Sequence, residues 1–398
     1  MQTVDAIIIG GGVHGTSLAY HLAKRKMRVL LLEKSFFAAG GTGKSTALVR
    51  QHYDNYVESK LTYESWKYFA NWKEIVGGLD AGFVKTGFIR TVIPDELAAL
   101  RANTDMHREI GIRAELITAA QVQEIEPDWD VSDISCAAYE PEPGYADPQA
   151  TTQSFAERAR ELGAQLHQET AVLKINVRAN RIAGVTTDKL GEVGAPNVVV
   201  AAGPWTPHLL KPLGIEVPIT CERHQVASFV RPAGVRARVC CIDGAKEMYF
   251  RPEGHNLILV GCGMGAKNID PDQYNEAIDD EHIEYTAEKI SQRIPGMIDG
   301  LSQGGWAGFY DMTPDEKCLV GELPIQGLYM NAGHSGTGFK TAPALGLCIS
   351  ELICDGASKT VDLTPLHWSR FQEGNKYFGD HPYSTSWHTG KTEIKKRS

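Results

Sequence analysis

The sequence predicts an α/β fold that is α+β in part, with the chain returning to one lobe after excursions into a second, β-rich one. Three observations predict it. Val4 to Lys34 reads strand, glycine turn, helix, strand. Two later glycine-rich turns, AAGPWT and NAGHSGTGF, each follow an apolar run of strand length. Between them, Leu213 to Gly263 holds a succession of short strand patterns. Stretches of α/β character thus alternate with mixed and mainly β stretches, as expected of two interleaved domains.

The opening unit carries chemistry. Ala6 to Ile9 is a short apolar run, and Gly10, Gly12 and Gly15 follow in G-x-G-x-x-G spacing. Thr16 to Lys24 places Leu18, Ala19, Leu22 and Ala23 at helical spacing, and a second apolar run, Val29 to Leu32, ends on Glu33. This is a Rossmann-like β-α-β unit for the ADP half of a dinucleotide. Gly10 permits the tight turn, Gly12 lets backbone approach pyrophosphate, and Gly15 lets the helix pack close to the strand. The helix N-terminus turns free N–H groups and its positive dipole end toward phosphate. Glu33 can accept hydrogen bonds from ribose hydroxyls and would repel a 2′-phosphate, which disfavours NADP and leaves NAD and FAD open. Val13 and His14 fall inside the turn, His14 as a spacer, and Lys34 follows the carboxylate.

Composition bounds the rest. The chain has 398 residues, 42% hydrophobic and 22% charged, enough for a large core. A net charge of -9 without a basic-aromatic patch excludes general nucleic-acid binding. The eight cysteines show no metal-ligand spacing, so no metal site is expected and free thiols in a reducing compartment are. No apolar run approaches transmembrane length and the N-terminus reads as a strand, so a cytoplasmic protein is expected.

In chain order, GGTGKST after Glu33 looks like a P-loop, but Ala38 stands where the first Walker glycine belongs. The better reading is a second cofactor loop, with Gly43, Ser45 and Thr46 near phosphate or ribose, and a helix from near Ser45 past Arg50. Tyr56 to Val76 reads as a long amphipathic helix with Trp66, Phe69 and Trp72 in the core. Val84 to Val92 reads as a strand, and Pro94 to Gly111 and Ala119 to Pro127 as helices. Glu140 to Gln149 is a turn-rich boundary. Gln149 to Gly163 is helical, Gln165 to Ile175 and Arg181 to Thr187 form a hairpin-like meander, and Asn197 to Ala201 is a buried strand. Asp279 to Arg293 and Phe339 to Cys354 are helices. Residues past His381 read as a loose polar tail.

These residues together resemble a family. GGGVHG with Glu33, VVVAAGPWT, TPDEKCLVGELP and NAGHSGTGFKTAPALG are similar to the FAD-dependent D-amino-acid-oxidase class, and within it to the sarcosine oxidases, the sarcosine oxidase β subunit and related secondary-amine dehydrogenases. The resemblance covers Val4 to about Phe371 and implies FAD rather than NAD. It implies an FAD domain (1–82, 146–220 and 321–371) interleaved with a substrate domain built on a large antiparallel sheet (83–145 and 221–320), with 372–398 as the tail.

Residue by residue, the resemblance implies cofactor contacts at Gly10, Gly12, Gly15, Glu33, Ser45, Thr46, Val172, Ala202, Gly203 and Trp205. The turn beside the flavin ring would be Gly333, Gly336, Thr337, Gly338 and Phe339. Arg50 and Lys340 would clamp a substrate carboxylate, Arg by a bidentate bond and Lys as a point charge. Tyr249 and Tyr310 would line the pocket, with His52 and Tyr53 adjacent. The implied activity is FAD-dependent oxidation of the C–N bond of a small amino acid or N-methyl or cyclic secondary amino acid, by hydride transfer to flavin N5. Alternatives are an electron-transferring dehydrogenase subunit of a heteromeric complex, or oxidation of a 2-hydroxy acid. The acceptor is O₂ or another oxidant, and partner subunits are possible. Three departures stand out. Gly308 occupies the position of a flavin-linking cysteine, so FAD should be non-covalent. Ile258 falls near the place of an oxygen-activating lysine, for which Arg251 is the nearest substitute cation. Cys262 lies near a catalytic histidine's position.

Overall fold

Ala6–Ile9 lies inside a six-stranded sheet of the computed structural model, which describes residues 2–262 and 265–383. The sheet order is Gln165–His167, Val29–Leu32, Ala6–Ile9, Val198–Val200, Leu328–Ala332, Leu319–Glu322, and only the last pair is antiparallel. The central strands are buried throughout because both faces are covered. Ala6, Ile8, Val29, Leu31 and Val199 face helices Val13–Lys24, Pro148–Glu161 and Gly338–Asp355. Ile7, Ile9, Leu30, Leu32 and Val200 pack on Ile175, Ile182, Val185 and Val193 of a smaller sheet.

A second sheet has eight strands. Its order is Leu301–Met312, Thr220–Val230, Leu257–Cys262, Met248–Glu253, Cys240–Asp243, Phe88–Thr91, Ala137–Glu140, Glu115–Ile117. Every pair is antiparallel except Cys240–Asp243 with Phe88–Thr91. One face packs on helix Asp280–Arg293 through Ile290, Phe250, Ile258 and Val260. The other roofs a cavity whose floor is the end of the parallel sheet.

Several expectations are corrected. No helix begins near Ser45. Gly41–Lys44 is a single 3-10 turn and Leu48–Val49 a short strand, because Ala47 sits at φ 53, a left-handed conformation no α-helix tolerates. That strand pairs with Gly144–Tyr145, inside the turn-rich boundary expected at Glu140 to Gln149. The long helix ends at Ala70 and restarts as Trp72–Ile75, since Asn71 lies at φ -133, ψ 41. Gln165–His167 leaves the meander and joins the parallel sheet beside Val29–Leu32. The tail expected to be loose past His381 is tied down at Tyr383, whose hydroxyl lies 2.6 Å from His52 Nε2, and the residues just before it are tied down too. The backbone N–H groups of Asp380 and His381 donate to the Asp54 carbonyl at 2.9 and 3.0 Å, and Asn103 Nδ2 donates to the His381 carbonyl at 2.9 Å. The remainder of the expected tail, 384–398, lies outside the described residues.

Candidate active site

A cavity of ≈ 690 Å³ runs between the two large sheets, from Glu33, Lys34 and Val172 at one end to Arg50, Tyr249, Tyr310 and Lys340 at the other. The first end suits a dinucleotide. Gly10 takes φ 115, and a Cβ at Gly15 would run into the Gly10 carbonyl, so turn and helix approach as closely as the motif requires. Helix Val13–Lys24 starts at Gly12, which has no side chain to cap it; the Val13 N–H donates to Thr42 Oγ1 at 3.2 Å, and the positive end of the helix lies at the cavity, where it favours an anion. Glu33 accepts from Gly11 N at 2.6 Å and Ser35 N at 2.8 Å. These bonds hold its carboxylate at the cavity with lone pairs to spare for ribose hydroxyls. Lys34 Nζ meets Asp272 at 2.6 Å and lies 4.0 Å over the Trp205 ring, whose Nε1 donates to the same carboxylate at 2.9 Å.

Val13, His14, Ser45, Thr46, Ala202, Gly203, Gly336, Thr337, Gly338 and Phe339 line the same cavity. His14 is no mere spacer. It stacks on His334 with centroids 3.7 Å apart, and Asn331 Nδ2 lies 3.2 Å from its Nδ1. Burial holds both imidazoles well below their usual pKa, hence neutral. The Nε2 atoms of both rings and Asn331 Oδ1 are buried without a partner among the described residues, as expected beside a polar ligand. Gly43 and Gly333 do not line the cavity. Gly43 is wedged against Ala38 and Gln149, and Gly333 donates its N–H to Asp311 at 2.6 Å; both shape the loops rather than touch a ligand.

The far end is cationic and aromatic. Arg50 Nη1 donates to the His52 carbonyl, and its guanidinium lies 3.9 Å from the Tyr53 centroid. Lys340, in the first turn of Gly338–Asp355, holds Nζ 5.8 Å from the same ring. Burial, then Arg50, pulls the Lys340 pKa far down. Tyr249 and Tyr310 share a hydrogen bond, and Tyr310 stacks on His224 at 3.9 Å. Glycine makes room for each ring: a Cβ at Gly261 would enter the Tyr249 ring, and one at Gly336 would come within 2.6 Å of Tyr310 Cε2.

His52 lines the cavity and connects outward. Its Nε2 is 2.6 Å from the Tyr383 hydroxyl, while Nδ1 faces Glu140 Oε1 at 3.5 Å. His107 Nδ1 faces the same oxygen at 3.8 Å. No metal site was expected, yet these three buried residues bring one ligand atom each within 4.8 Å of one another. Burial pushes Glu140 up to about 7 and His107 down to about 3.

The departures have structural counterparts. Ile258 is fully buried on the helix side of the eight-stranded sheet. Arg251, the substitute considered for the missing lysine, faces elsewhere. Its Nε donates to the Thr46 carbonyl at 2.6 Å, its guanidinium pairs with Glu253 and stacks 4.0 Å over Tyr145, and it does not line the cavity. Cys262 is buried in the same apolar core as Ile258.

Residues 5–352 match the model of the FAD dependent oxidoreductase family, DAO. The chain belongs to this family. Among FAD dependent oxidoreductases, sarcosine oxidase subunit beta of Arthrobacter sp is 26% identical over 386 residues, covering 94% of this chain and 92% of that protein. FAD-dependent oxidoreductase domain-containing protein 1 of Bos taurus is 26% identical over 420 residues, covering 94% and 85%. The crystal structure of L-proline dehydrogenase from P. horikoshii superposes with a TM-score of 0.87 at 28% identity, covering 94% of this chain and all of that one. The dinucleotide of this FAD dependent oxidoreductase is therefore FAD, and the glycine cradle, the helix start at the cavity and the orphaned imidazoles suit it.

Sequence reasoning missed Arg90, Glu140, His107, His334 and Tyr383 at this site. Arg90 alone left a signal: a charged residue two positions after Phe88 in a strand that is buried throughout.

Proposed function

We propose that the protein oxidises the C–N bond of a small amino acid or N-substituted or cyclic secondary amino acid, giving an imine that water hydrolyses unless it stays cyclic. The observation that carries this is the single cavity joining the FAD cradle to Arg50, Lys340, Tyr249 and Tyr310. Bound FAD would accept the hydride from the carbon next to nitrogen. Arg50 and Lys340 hold the substrate carboxylate, and their shared platform, Tyr53, fixes where it sits. Tyr249 and Tyr310 wall the pocket and exclude water. The same cationic field lowers the pKa of a nearby ammonium, so the amine loses its proton without a dedicated base.

We infer that FAD is held without a covalent bond, since Gly308, at the position of the linking cysteine in the resembling oxidases, has no side chain to attach one. Acid precipitation should release all the yellow colour. The eight cysteines, all unpaired, fit a reducing cytoplasm.

A second reading concerns the oxidant. Ile258 in the core and Arg251 facing elsewhere leave the family's oxygen-activating position without a cation. This favours a dehydrogenase that passes electrons to an acceptor other than O₂, with a partner subunit as one such acceptor. Stopped-flow reoxidation of the reduced protein by air decides it. An anaerobic screen with sarcosine, proline, hydroxyproline and D-amino acids tests the reaction class. If none bleaches the flavin while a 2-hydroxy acid does, the C–N reading falls.

A further inference from the structure

Five arginines are buried among the described residues: Arg90, Arg223, Arg251, Arg293 and Arg370. Four of them hold a carboxylate. Arg223 pairs with Asp279 at 2.7 Å, Arg251 with Glu253, Arg293 with Asp243 at 2.6 Å and Arg370 with Asp315 at 2.8 Å. Arg90 is 5% exposed and has neither an ion pair nor a hydrogen bond among the described residues; its Nε is an orphaned buried donor. Burial pulls its pKa down, and the Tyr383 phenol and the buried Glu96 carboxylate pull it part of the way back up. A buried guanidinium with an unsatisfied Nε is costly to keep unless an anion or hydrogen-bond acceptor arrives to meet it. Arg90 lines the cavity, so the missing anion has a route to it.

Its position is set by strand register. Arg90 stands opposite Ile242, and Ile242 opposite Tyr249, so the three form one row across the cavity roof. With a strand spacing of about 4.8 Å, the Arg90 backbone lies roughly 10 Å from that of Tyr249. Its platform also differs from that of the other cations. Arg50 and Lys340 meet over Tyr53, whereas Arg90 lies 4.6 Å from the centroid of Tyr383. The cavity therefore carries two separate cationic platforms.

We propose that the substrate is an amino dicarboxylate, with one carboxylate on Arg50 and Lys340 and a second on Arg90. This rests on the assignment above of Arg50 and Lys340 to the first carboxylate. An N-carboxyalkyl amino acid has the required shape: a secondary amine flanked by two acids.

The test compares matched acids on the FAD-loaded protein. Glutarate and butyrate, neither oxidisable here, are titrated by calorimetry and by the shift of the flavin absorption band. Iminodiacetate and sarcosine are then compared as substrates in anaerobic bleaching. Glutarate should bind roughly tenfold to a hundredfold tighter than butyrate. Arg90→Gln should abolish that difference and leave butyrate unchanged, while Arg90→Lys should restore part of it. FAD content and melting temperature establish that each variant is folded, and if Arg90→Gln does not fold, the wild-type comparison decides. Equal affinity of wild type for both acids overturns the proposal. So does an equal loss of both acids in Arg90→Gln, which would place Arg90 in a single clamp. A failure of every amine to bleach the flavin sinks the C–N reading instead, and the acid titrations still decide this one.

Discussion

The imidazole Nε2 of His52 stands 2.6 Å from the phenol oxygen of Tyr383, joining the cavity wall to a segment 331 residues further along the chain. Removing the hydroxyl strands a buried ring nitrogen. Tyr383→Phe should destabilise the holo-protein by about 1–3 kcal/mol in urea unfolding, with FAD content unchanged. Unaltered stability would mean that the bond does not hold this segment in place.

Arg50 makes no contact with the nucleotide end of the cavity. Arg50→Ala should therefore raise KM for carboxylate substrates by roughly a hundredfold and leave the flavin bound. An unchanged KM for every anionic substrate would remove Arg50 from the clamp.

Lys340 offers a pH signature. Burial, and then Arg50, holds its pKa well below the ordinary lysine value, and an arriving carboxylate raises it again. Binding therefore takes up a proton wherever the pH lies between the depressed and restored values, and affinity falls as pH rises through that interval. Calorimetry of butyrate, an acid with no amine to lose a proton, in two buffers of different ionisation heat measures the uptake, which Lys340→Met should eliminate. Wild-type binding with no proton exchange contradicts the assignment.

Glu140 should shape stability rather than binding. Its pKa is raised from 4.5 to about 7 by burial. The folded state then binds the proton more tightly than the unfolded chain. Its favourable contribution is complete below the unfolded value of about 4.5 and is lost as pH rises through about 7. His107, held near 3 in the fold but near 6.5 in the unfolded chain, works in the opposite direction and favours the fold as pH rises toward about 6.5. Glu140→Gln removes the Glu140 contribution alone, so its melting temperature relative to wild type should climb between about pH 5 and pH 7.5. A variant with the wild-type slope refutes this.

What could be read from sequence was what is local. Gly10, Gly12, Gly15 and Glu33 lie within one β-α-β unit, so spacing alone encodes their geometry. Arg50, Tyr249, Tyr310 and Lys340 became candidates only through family resemblance, because no short pattern joins them. Arg90 depended on a register, Arg90 to Ile242 to Tyr249, that crosses some 150 positions. Glu140 and His107 come from segments whose meeting point no periodicity announces. The helix expected at Ser45 failed on one backbone torsion, that of Ala47, a residue whose propensity argues the other way.

The six-stranded sheet also sets a clock. Ala6–Ile9 leaves the ribosome first, but its neighbour Val198–Val200 and the next strand, Leu328–Ala332, are made much later. At roughly 5–20 residues per second, at least about 15 s separate the first strand from the last of the three. Throughout that interval the nucleotide turn exists in a nascent chain whose binding cavity has no far wall. Capture of FAD thus waits until Leu328–Ala332 has been made, and the apolar first strand must be sheltered until then.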